Sequence, residues 1–249
     1  MPDSEIFMRL DKMLSNLGYA SRKRVPKLLK SGLVKVDGQT CKKPETKVSH
    51  SQVSYDGAAL DPLSLVIALH KPVGYICSHK EDGELVYELL PERFLLRNPK
   101  LSCVGRLDKD SSGLIIITDD GNLNHVLTSP KHAVKKVYEV SLERDLRGNE
   151  VELFASGTLQ LPDEEAPLLP AELEIIAERH VRITLREGRN RQVRRMFEAT
   201  GNFVTALRRI KIAGLELGEL PEGSFYFLTA DDVRAKLVAS KSLLSGKTL

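Results

Sequence analysis

Short apolar segments that follow one another without an intervening helix dominate the chain after residue 65. Leu101–Val104 and Leu114–Ile117 flank a polar loop, Val134–Leu142 alternates along its length, and Glu172–Ile176 and Val181–Leu185 have the pattern of a hairpin. Parallel strands need long, usually helical connections, so strands that follow strands favour an antiparallel or mixed sheet. We therefore predict an α+β fold whose main domain is built on a mixed, mainly antiparallel sheet.

Further elements complete this prediction. Three more segments are predicted as strands: Leu65–Leu69, Phe203–Leu207 and Phe225–Leu228. Three are predicted as helices: Glu84–Leu90 before Pro91, Arg191–Thr200 before Gly201, and Asp231–Leu237.

The first fifty residues predict a smaller unit of two helices and a few short strands. Apolar residues recur at helical spacing before a glycine in two runs: Leu10, Leu14 and Leu17 before Gly18, then Val25, Leu28 and Leu29 before Gly32. Ser21 is a candidate N-cap of the second helix, unless Pro26 makes that helix start late or bend. Asp37-Gly38 is typical of a hairpin turn.

The chain is expected to contain two domains. Residues 8–57 form the small unit, residues 65–238 form the larger α+β domain, and residues 58–64, with Pro62 near their centre, are predicted as a linker. Residues 239–249 show little periodicity and are predicted to be a disordered tail.

Basic residues are clustered although the net charge is only +3. The region from Met8 to Gly57 carries few acidic residues but many basic ones, a second basic cluster runs from Arg182 to Lys211, and the stretch between Glu139 and Glu178 is mostly acidic. Each basic residue alone is consistent with an ordinary solvated surface. Two clusters separated by an acidic stretch favour a polyanionic partner, and we expect a nucleic acid.

Several classes of protein and site are disfavoured. No apolar run approaches the ~20 residues of a membrane helix, and the first residues lack a secretory signal pattern. Three scattered cysteines form no disulfide framework, so a reducing cytoplasm is expected. No metal is predicted, because four histidines are not at metal-ligand spacing with any cysteine: His70, His79, His125 and His132. No cofactor is predicted either, because Gly83, Gly113 and Gly121 form no phosphate-binding glycine loop. Asp119-Asp120-Gly121 is interpreted as a turn.

The polar loop between the first two apolar strands carries the strongest candidate chemistry. Its sequence, Gly105-Arg106-Leu107-Asp108-Lys109-Asp110-Ser111-Ser112-Gly113, holds a carboxylate on a loop between buried strands. A rigid scaffold keeps such a group reachable and fixed in position. From chemistry alone, Asp108 could be a nucleophile, a general base, a metal ligand or an ordinary turn residue.

This loop resembles the catalytic signature of the RsuA-type pseudouridine synthases of bacterial ribosomal RNA, in the run GRLDKDSSGLIIITDDG. Other segments resemble the same family in the same order: His70–Tyr75, Lys135–Tyr138 and Glu187–Met196. Met8–Gly38 resembles the small alpha-L RNA-binding module first seen in ribosomal protein S-four. The resemblance covers nearly the whole chain, and it implies a pseudouridine synthase domain preceded by that module.

The resemblance also implies roles for individual residues. Asp108 would be the nucleophile in the isomerisation of uridine, Tyr138 would stack on the flipped-out base, and Arg194 would pair with Asp108 and keep it ionised. Further basic residues are expected to contact RNA: Arg106, Arg189, Arg191 and Arg195 in the larger domain, and Arg9, Lys12, Arg22, Lys23, Arg24 and Lys27 in the small unit.

Within the family we favour the small-subunit (16S) ribosomal RNA as substrate, in a partly assembled subunit, with the enzyme acting as a monomer. Gly74–Ser78 and Thr128–His132 look most like that branch. The alternatives are a synthase for large-subunit (23S) RNA and a non-catalytic assembly factor with the same fold. A metal-dependent nuclease would need clustered carboxylates around a divalent ion and would be inhibited by EDTA.

Overall fold

The computed structural model describes residues 6–238, which form two compact units. The first unit contains the chain up to Leu65 together with Leu90–Ser102, and the second contains Val66–Leu89 and the chain from Cys103 onward. The predicted tail, 239–249, lies outside the described residues. None of the helices within residues 6–238 is both long and apolar enough to cross a bilayer.

The first unit packs helices against short strands. Its elements are β1 (Met8–Arg9), α1 (Leu10–Asn16), α2 (Val25–Lys30), β2 (Val34–Val36), β3 (Gln39–Thr40), β4 (Lys47–Val48), β5 (Val53–Tyr55), β6 (Ala58–Ala59) and α3 (Glu92–Leu95). Strands β3, β2, β5 and β6 form one sheet in that order, and β1 pairs with β4. The apolar faces of α1 and α2 form its core with Val34, Val48 and Val53.

Two predictions for this unit need correction. The second helix begins at Val25 and not at Ser21, because Pro26 lacks an N–H and is tolerated only in the first turn of a helix. The predicted linker 58–64 is part of the folded unit, since β6 pairs with β5 and Leu60 is buried in the core. Asp61 also accepts two hydrogen bonds of 2.7 Å from Arg93, which belongs to the segment Leu90–Ser102.

The second unit is built on a sheet of nine strands within residues 66–227. Its strands are β7 (Val66–Lys71), β8 (Ser102–Cys103), β9 (Ser112–Thr118), β10 (Lys136–Leu142), β11 (Glu172–Ala177), β12 (His180–Leu185), β13 (Val204–Ile212), β14 (Leu215–Glu216) and β15 (Phe225–Phe227). Its helices are α4 (Gly121–Thr128), α5 (Glu150–Ser156), α6 (Gln192–Ala199) and α7 (Ala230–Asp232), the last continuing as a π-helix over Val233–Val238. Short 3₁₀ turns cover Val86–Leu89 and Pro130–His132.

The sheet has the order β11, β12, β10, β13, β9, β7, β15, with β14 beside β13 and β8 beside β9. The pairing of β13 with β9 is parallel. The antiparallel pairs are β10–β12, β10–β13, β11–β12, β13–β14, β7–β15 and β7–β9. Strand β9 is buried along its whole length, as its continuous apolar run requires for a central strand. The α+β prediction with a mixed, mainly antiparallel sheet is confirmed.

Two helices of the second unit, α4 and α5, were not predicted. Helix α4 begins beside the pair that was interpreted as a turn, because the Asp120 carboxylate accepts hydrogen bonds from the N–H groups of Asn122 and Leu123. This is an N-cap, which satisfies the free donors of the first helical turn. The predicted helix at Glu84–Leu90 is a shorter 3₁₀ turn.

Candidate active site

A cavity of about 710 Å³ opens beside the loop that precedes β9, a volume in the usual range of ligand sites. It is lined on one side by this loop, including Asp108, and on the other by Tyr138 and the segment 185–193. Six basic side chains and two carboxylates face it: Arg106, Lys136, Arg186, Arg189, Arg191 and Arg209, against Asp108 and Glu187. The excess of positive charge suits a polyanionic ligand.

The loop is held through three consecutive backbone carbonyls. The carbonyl of Lys109 accepts from the Gly74 N–H at 2.8 Å, that of Asp110 from Arg194 Nη2 at 3.0 Å, and that of Ser111 from Lys71 Nζ at 2.6 Å. Lys71 is fully buried and also donates to the Pro72 carbonyl. Groups from two distant segments therefore fix the backbone that carries Asp108.

Asp108 itself lies at the cavity wall with 30% of its side chain exposed. The arginine within ion-pair distance is Arg191, whose Nη1 is 3.9 Å from Asp108 Oδ2. The predicted partner, Arg194, lies instead 3.3 Å from Asp110 Oδ2 and donates to the carbonyls of Asp110 and Val204. The predicted pairing of Arg194 with Asp108 is therefore replaced in this structure by one with Asp110.

Asp110 joins the loop to the start of α6. Its carboxylate accepts a hydrogen bond of 3.0 Å from Arg191 Nη2. Burial alone would raise the pKa of Asp110, but this hydrogen bond and the positive charges of Arg194 and Arg191 hold that pKa below its ordinary value. Asp110 therefore stays ionised at neutral pH and keeps Arg191 beside Asp108.

Tyr138 lies on β10 with its side chain at the cavity, 8% exposed. The guanidinium carbon of Arg209, on the neighbouring strand β13, is 6.0 Å from the centre of its ring. The aromatic face predicted to stack on a base is therefore at the same cavity as Asp108.

Close packing of β13 against β9 requires a glycine at position 113. Gly113 pairs with Arg209 across the parallel strands and has φ of +111°, a conformation that other residues rarely adopt. A Cβ atom there would lie 2.3 Å from the Arg209 carbonyl oxygen. This is the physical reason for the glycine that ends the loop.

Two arginines predicted to contact RNA are engaged elsewhere. Arg189 is bound to Glu164, Glu187 and the carbonyls of Ala166 and Pro167, and Arg195 to Glu164 and the carbonyl of Asn190. These bonds hold the acidic segment 162–167 and leave fewer donors for phosphate. Arg106 is 65% exposed and forms an ion pair of 2.8 Å with Glu81.

The six residues of the first unit predicted to contact RNA lie at the end of β1, on α1 and α2, and in the turn between the two helices. Lys12, Lys23, Arg24 and Lys27 are exposed there. Arg9 makes two hydrogen bonds to the Asp11 carboxylate, and Arg22 lies 3.7 Å from it. All six predicted contacts are thus exposed to solvent, and two of them, Arg9 and Arg22, lie beside the Asp11 carboxylate.

The sequence reasoning missed three cationic residues of the second unit. Lys71 lies in the segment His70–Tyr75, for which no functional role was predicted, and Lys136 lies two residues before Tyr138. Arg209 is one of many basic residues in the cluster from Arg182 to Lys211. The alternation of β13 could have indicated that Arg209 faces inward while Arg208 faces outward. Within residues 6–238, no three His, Cys, Asp or Glu side chains lie close enough together to bind a metal.

Comparison with known proteins matches two separate parts of the chain to two known families. The profile of the RNA pseudouridylate synthase family matches residues 65–199, and that of the S4 domain matches residues 8–54. A relative from Vibrio parahaemolyticus, named ribosomal small subunit pseudouridine synthase A, is 43% identical over 91% of this chain and 98% of its own. The protein of that name from Escherichia coli is 38% identical over the same shares.

A solved structure described as a pseudouridylate synthase matches with a TM-score of 0.65 and 34% identity, over 91% of this chain and 98% of that one. The two named relatives and the solved structure each align with 91% of this chain and with 98% of their own length. Because the family profile covers residues 65–199 and the named relatives are 38–43% identical over 91% of the chain, this chain belongs to the RNA pseudouridylate synthase family, of the RsuA type.

Proposed function

We propose that this pseudouridine synthase converts a uridine of small-subunit (16S) ribosomal RNA to pseudouridine, with Asp108 as the nucleophile. The observation that carries the assignment of the site is the position of Asp108 on a loop whose backbone is held by Gly74, Lys71 and Arg194, at the wall of a basic cavity. The relatives named for small-subunit RNA support the choice of substrate.

The reaction breaks the bond between N1 of the base and C1′ of the ribose and forms a bond from C5 to C1′. An ionised carboxylate suits this chemistry, because it can attack the sugar or assist its elimination and later leave again. Arg191 Nη1, 3.9 Å from Asp108 Oδ2, places a positive charge beside this carboxylate. Tyr138 supplies a ring on which the extruded uracil stacks, offsetting the loss of its neighbours in the RNA.

The partner is ribosomal RNA in a partly assembled small subunit, which the enzyme meets as a monomer in the cytoplasm. The basic helix pair of the S4 domain supports backbone binding, and Arg106 and Arg191 support contacts near the reacting nucleotide, since both line the cavity and both are partly exposed. No cofactor is required, because the isomerisation has no net oxidation or reduction.

The substrate is tested by incubating the purified protein separately with unmodified 16S and 23S transcripts and mapping pseudouridine by carbodiimide labelling and primer extension. We expect one new stop in the 16S transcript and none in the 23S transcript. A stop in 23S RNA alone would replace the proposed substrate by its alternative. No stop in either naked RNA or in isolated small subunits would contradict the proposal.

The S4 domain provides a second prediction. Replacing Lys23, Arg24 and Lys27 by glutamine is expected to weaken RNA binding and to lower the slope of log K against log salt by about two. Each neutralised phosphate contributes about 0.7 to that slope on single strands, and about 0.9 on duplexes. The slope is measured by filter-binding titrations at several salt concentrations from about 50 to about 300 mM.

The matched control removes the same charge from two strands and a loop of the same unit, through Lys35→Gln, Lys42→Gln and Lys47→Gln. All three lysines are exposed and lie outside α1 and α2. We expect the control to change the slope by much less. Equal slopes for the two triple variants would mean that the helix pair is not the RNA-binding face.

A further inference from the structure

Arg209 combines burial, a free donor and access to the cavity. Its side chain is 2% exposed, its Nε donates to the Leu114 carbonyl at 2.8 Å, and its Nη1 lies 3.4 Å from the Arg106 carbonyl. No described residue accepts a hydrogen bond from its Nη2. A buried donor without a partner destabilises the folded state, so its retention needs an explanation.

A ligand in the cavity can supply the missing acceptor. Arg209 lines the same cavity as Asp108 and Tyr138, whereas Arg194, which also has an unpaired nitrogen, is not among the residues that line it. At 2% exposure Arg209 is reached only by a group that enters the cavity fully, and its Nη2, which has almost no exposed surface, meets that group after a small shift of the side chain. A base stacked on Tyr138, whose ring centre is 6.0 Å from the Arg209 guanidinium carbon, is such a group.

We propose that Arg209 is a catalytic residue that donates a hydrogen bond to a carbonyl oxygen of the flipped uracil and stabilises the negative charge that develops on the base. This assignment rests on the proposed active site. When the N1–C1′ bond breaks, its electron pair stays on N1 and is shared with O2 and O4. A fixed cation in a site closed to water stabilises such charge strongly.

The same electron balance holds for each role of Asp108. Direct attack forms an ester from Asp108 to C1′, elimination forms a glycal after loss of a sugar proton, and either one leaves the uracil anionic. The pair is then used when C5 bonds to C1′: in the first route the ester bond from C1′ to Asp108 breaks and its electron pair returns to the carboxylate, and in the second the proton that Asp108 took from C2′ returns there. C5 then loses its proton and N1 gains one. Arg209 remains protonated throughout and only donates.

A second cation strengthens the field at this wall of the cavity. Lys136 lines the cavity, and its Nζ donates to the Val134 carbonyl at 3.1 Å. Burial, and then the charge of Arg209, lower the pKa of Lys136 to about 8. A cavity wall that holds Arg209 and Lys136 favours an anionic occupant over a neutral one.

The test compares single-turnover rates of wild type, R209M and R209K on a fragment of the RNA that the wild-type enzyme modifies, with protein in excess. We expect R209M to react about 10²-fold more slowly at saturation, as for loss of one donor to an anion, with little change in RNA affinity. R209K, which keeps the charge, should recover part of the rate. R208M is the matched control, because Arg208 faces the other side of the sheet and pairs with Glu139.

A second measurement separates contact with the base from a structural role. The fragment is made with 2-thiouridine or 4-thiouridine, since sulfur is the weaker acceptor. One of the two substitutions should slow wild type clearly and R209M much less, as in a double-mutant cycle. If thermal melting shows that R209M is unfolded, R209K takes its place in the cycle.

Three results would overturn the proposal. These are a wild-type rate for folded R209M, a loss of affinity with a normal rate at saturation, which would indicate a phosphate contact, and equal slowing of wild type and variant by both thio substitutions. Absence of pseudouridine formation by the wild-type enzyme itself would be a different result, because it would contradict the proposed function rather than the role of Arg209.

Discussion

Replacing Asp108 by asparagine is expected to lower pseudouridine formation at least about 10³-fold while RNA binding survives. The amide has the shape of the carboxylate but lacks its charge and its nucleophilicity. The loop should keep its place, because its anchors are the carbonyls of residues 109–111 and not the Asp108 side chain. The measurement is the single-turnover rate at saturating protein, where the observed rate reports the bound complex.

Asp110→Asn is the matched control, two residues away on the same loop. The amide oxygen of the variant can still accept from Arg191, so we expect a milder loss of rate than for Asp108→Asn. Both variants should melt within a few degrees of wild type. Substantial turnover by a folded Asp108→Asn protein would show that Asp108 is not the nucleophile.

The strands could be predicted because the burial of one or both faces of a strand determines which of its positions are apolar. Strand β9 is buried on both faces and is therefore continuously apolar, and β10 alternates because its two faces meet different surroundings. The loop before β9 could also be predicted, since a polar run lies between Gly105 and Gly113 and apolar strands flank it on both sides. These features are local, and local pattern is sufficient for them.

Helix α4 escaped prediction because its own residues favour helix weakly, whereas α5, with the sequence EVELFAS, was missed although it contains good helix formers. Helix α4 has the sequence GNLNHVLT, in which glycine, asparagine and threonine are poor helix formers. It is stabilised by the Asp120 cap and by burial of Leu123 and Leu127 in the core of the second unit. Such packing depends on residues distant in sequence, which a local pattern does not reveal.

The partner of Asp108 was misassigned for a related reason. Arg194 was assigned to Asp108 from its position in a motif that resembles the family, and that position does not decide which arginine side chain reaches the loop in this chain. Arg191 has φ of +47° and precedes α6, so its side chain leaves in a direction that helical spacing does not give. Arg195 turns instead to Glu164, a residue 31 positions earlier.

Replacing Lys71, the buried lysine of the second unit, is expected to change both the stability of the domain and the rate of the reaction. Lys71→Met is expected to lower the free energy of unfolding by about 2–4 kcal/mol and the single-turnover rate about 10²-fold. The variant leaves the buried carbonyls of Pro72 and Ser111 without their donor, although relief of a buried ammonium offsets part of this cost. The rate falls because the carbonyl of Ser111 is one of three that position Asp108.

Lys109→Met provides the comparison, since it removes the same charge from an exposed side chain of the loop itself. Urea unfolding and single-turnover rates at saturating protein, measured at a temperature where both variants are folded, separate stability from positioning. We expect Lys109→Met to match wild type in both. If Lys71→Met unfolds early but reacts at the wild-type rate while folded, Lys71 stabilises the domain without positioning Asp108. If it matches wild type in both, neither carbonyl depends on it. Burial lowers the pKa of Lys71, and charge at Cys77 and Asp108 opposes that shift. Because Lys71 donates hydrogen bonds to the carbonyls of Pro72 and Ser111, it connects the stability of this domain to the geometry of the reacting carboxylate.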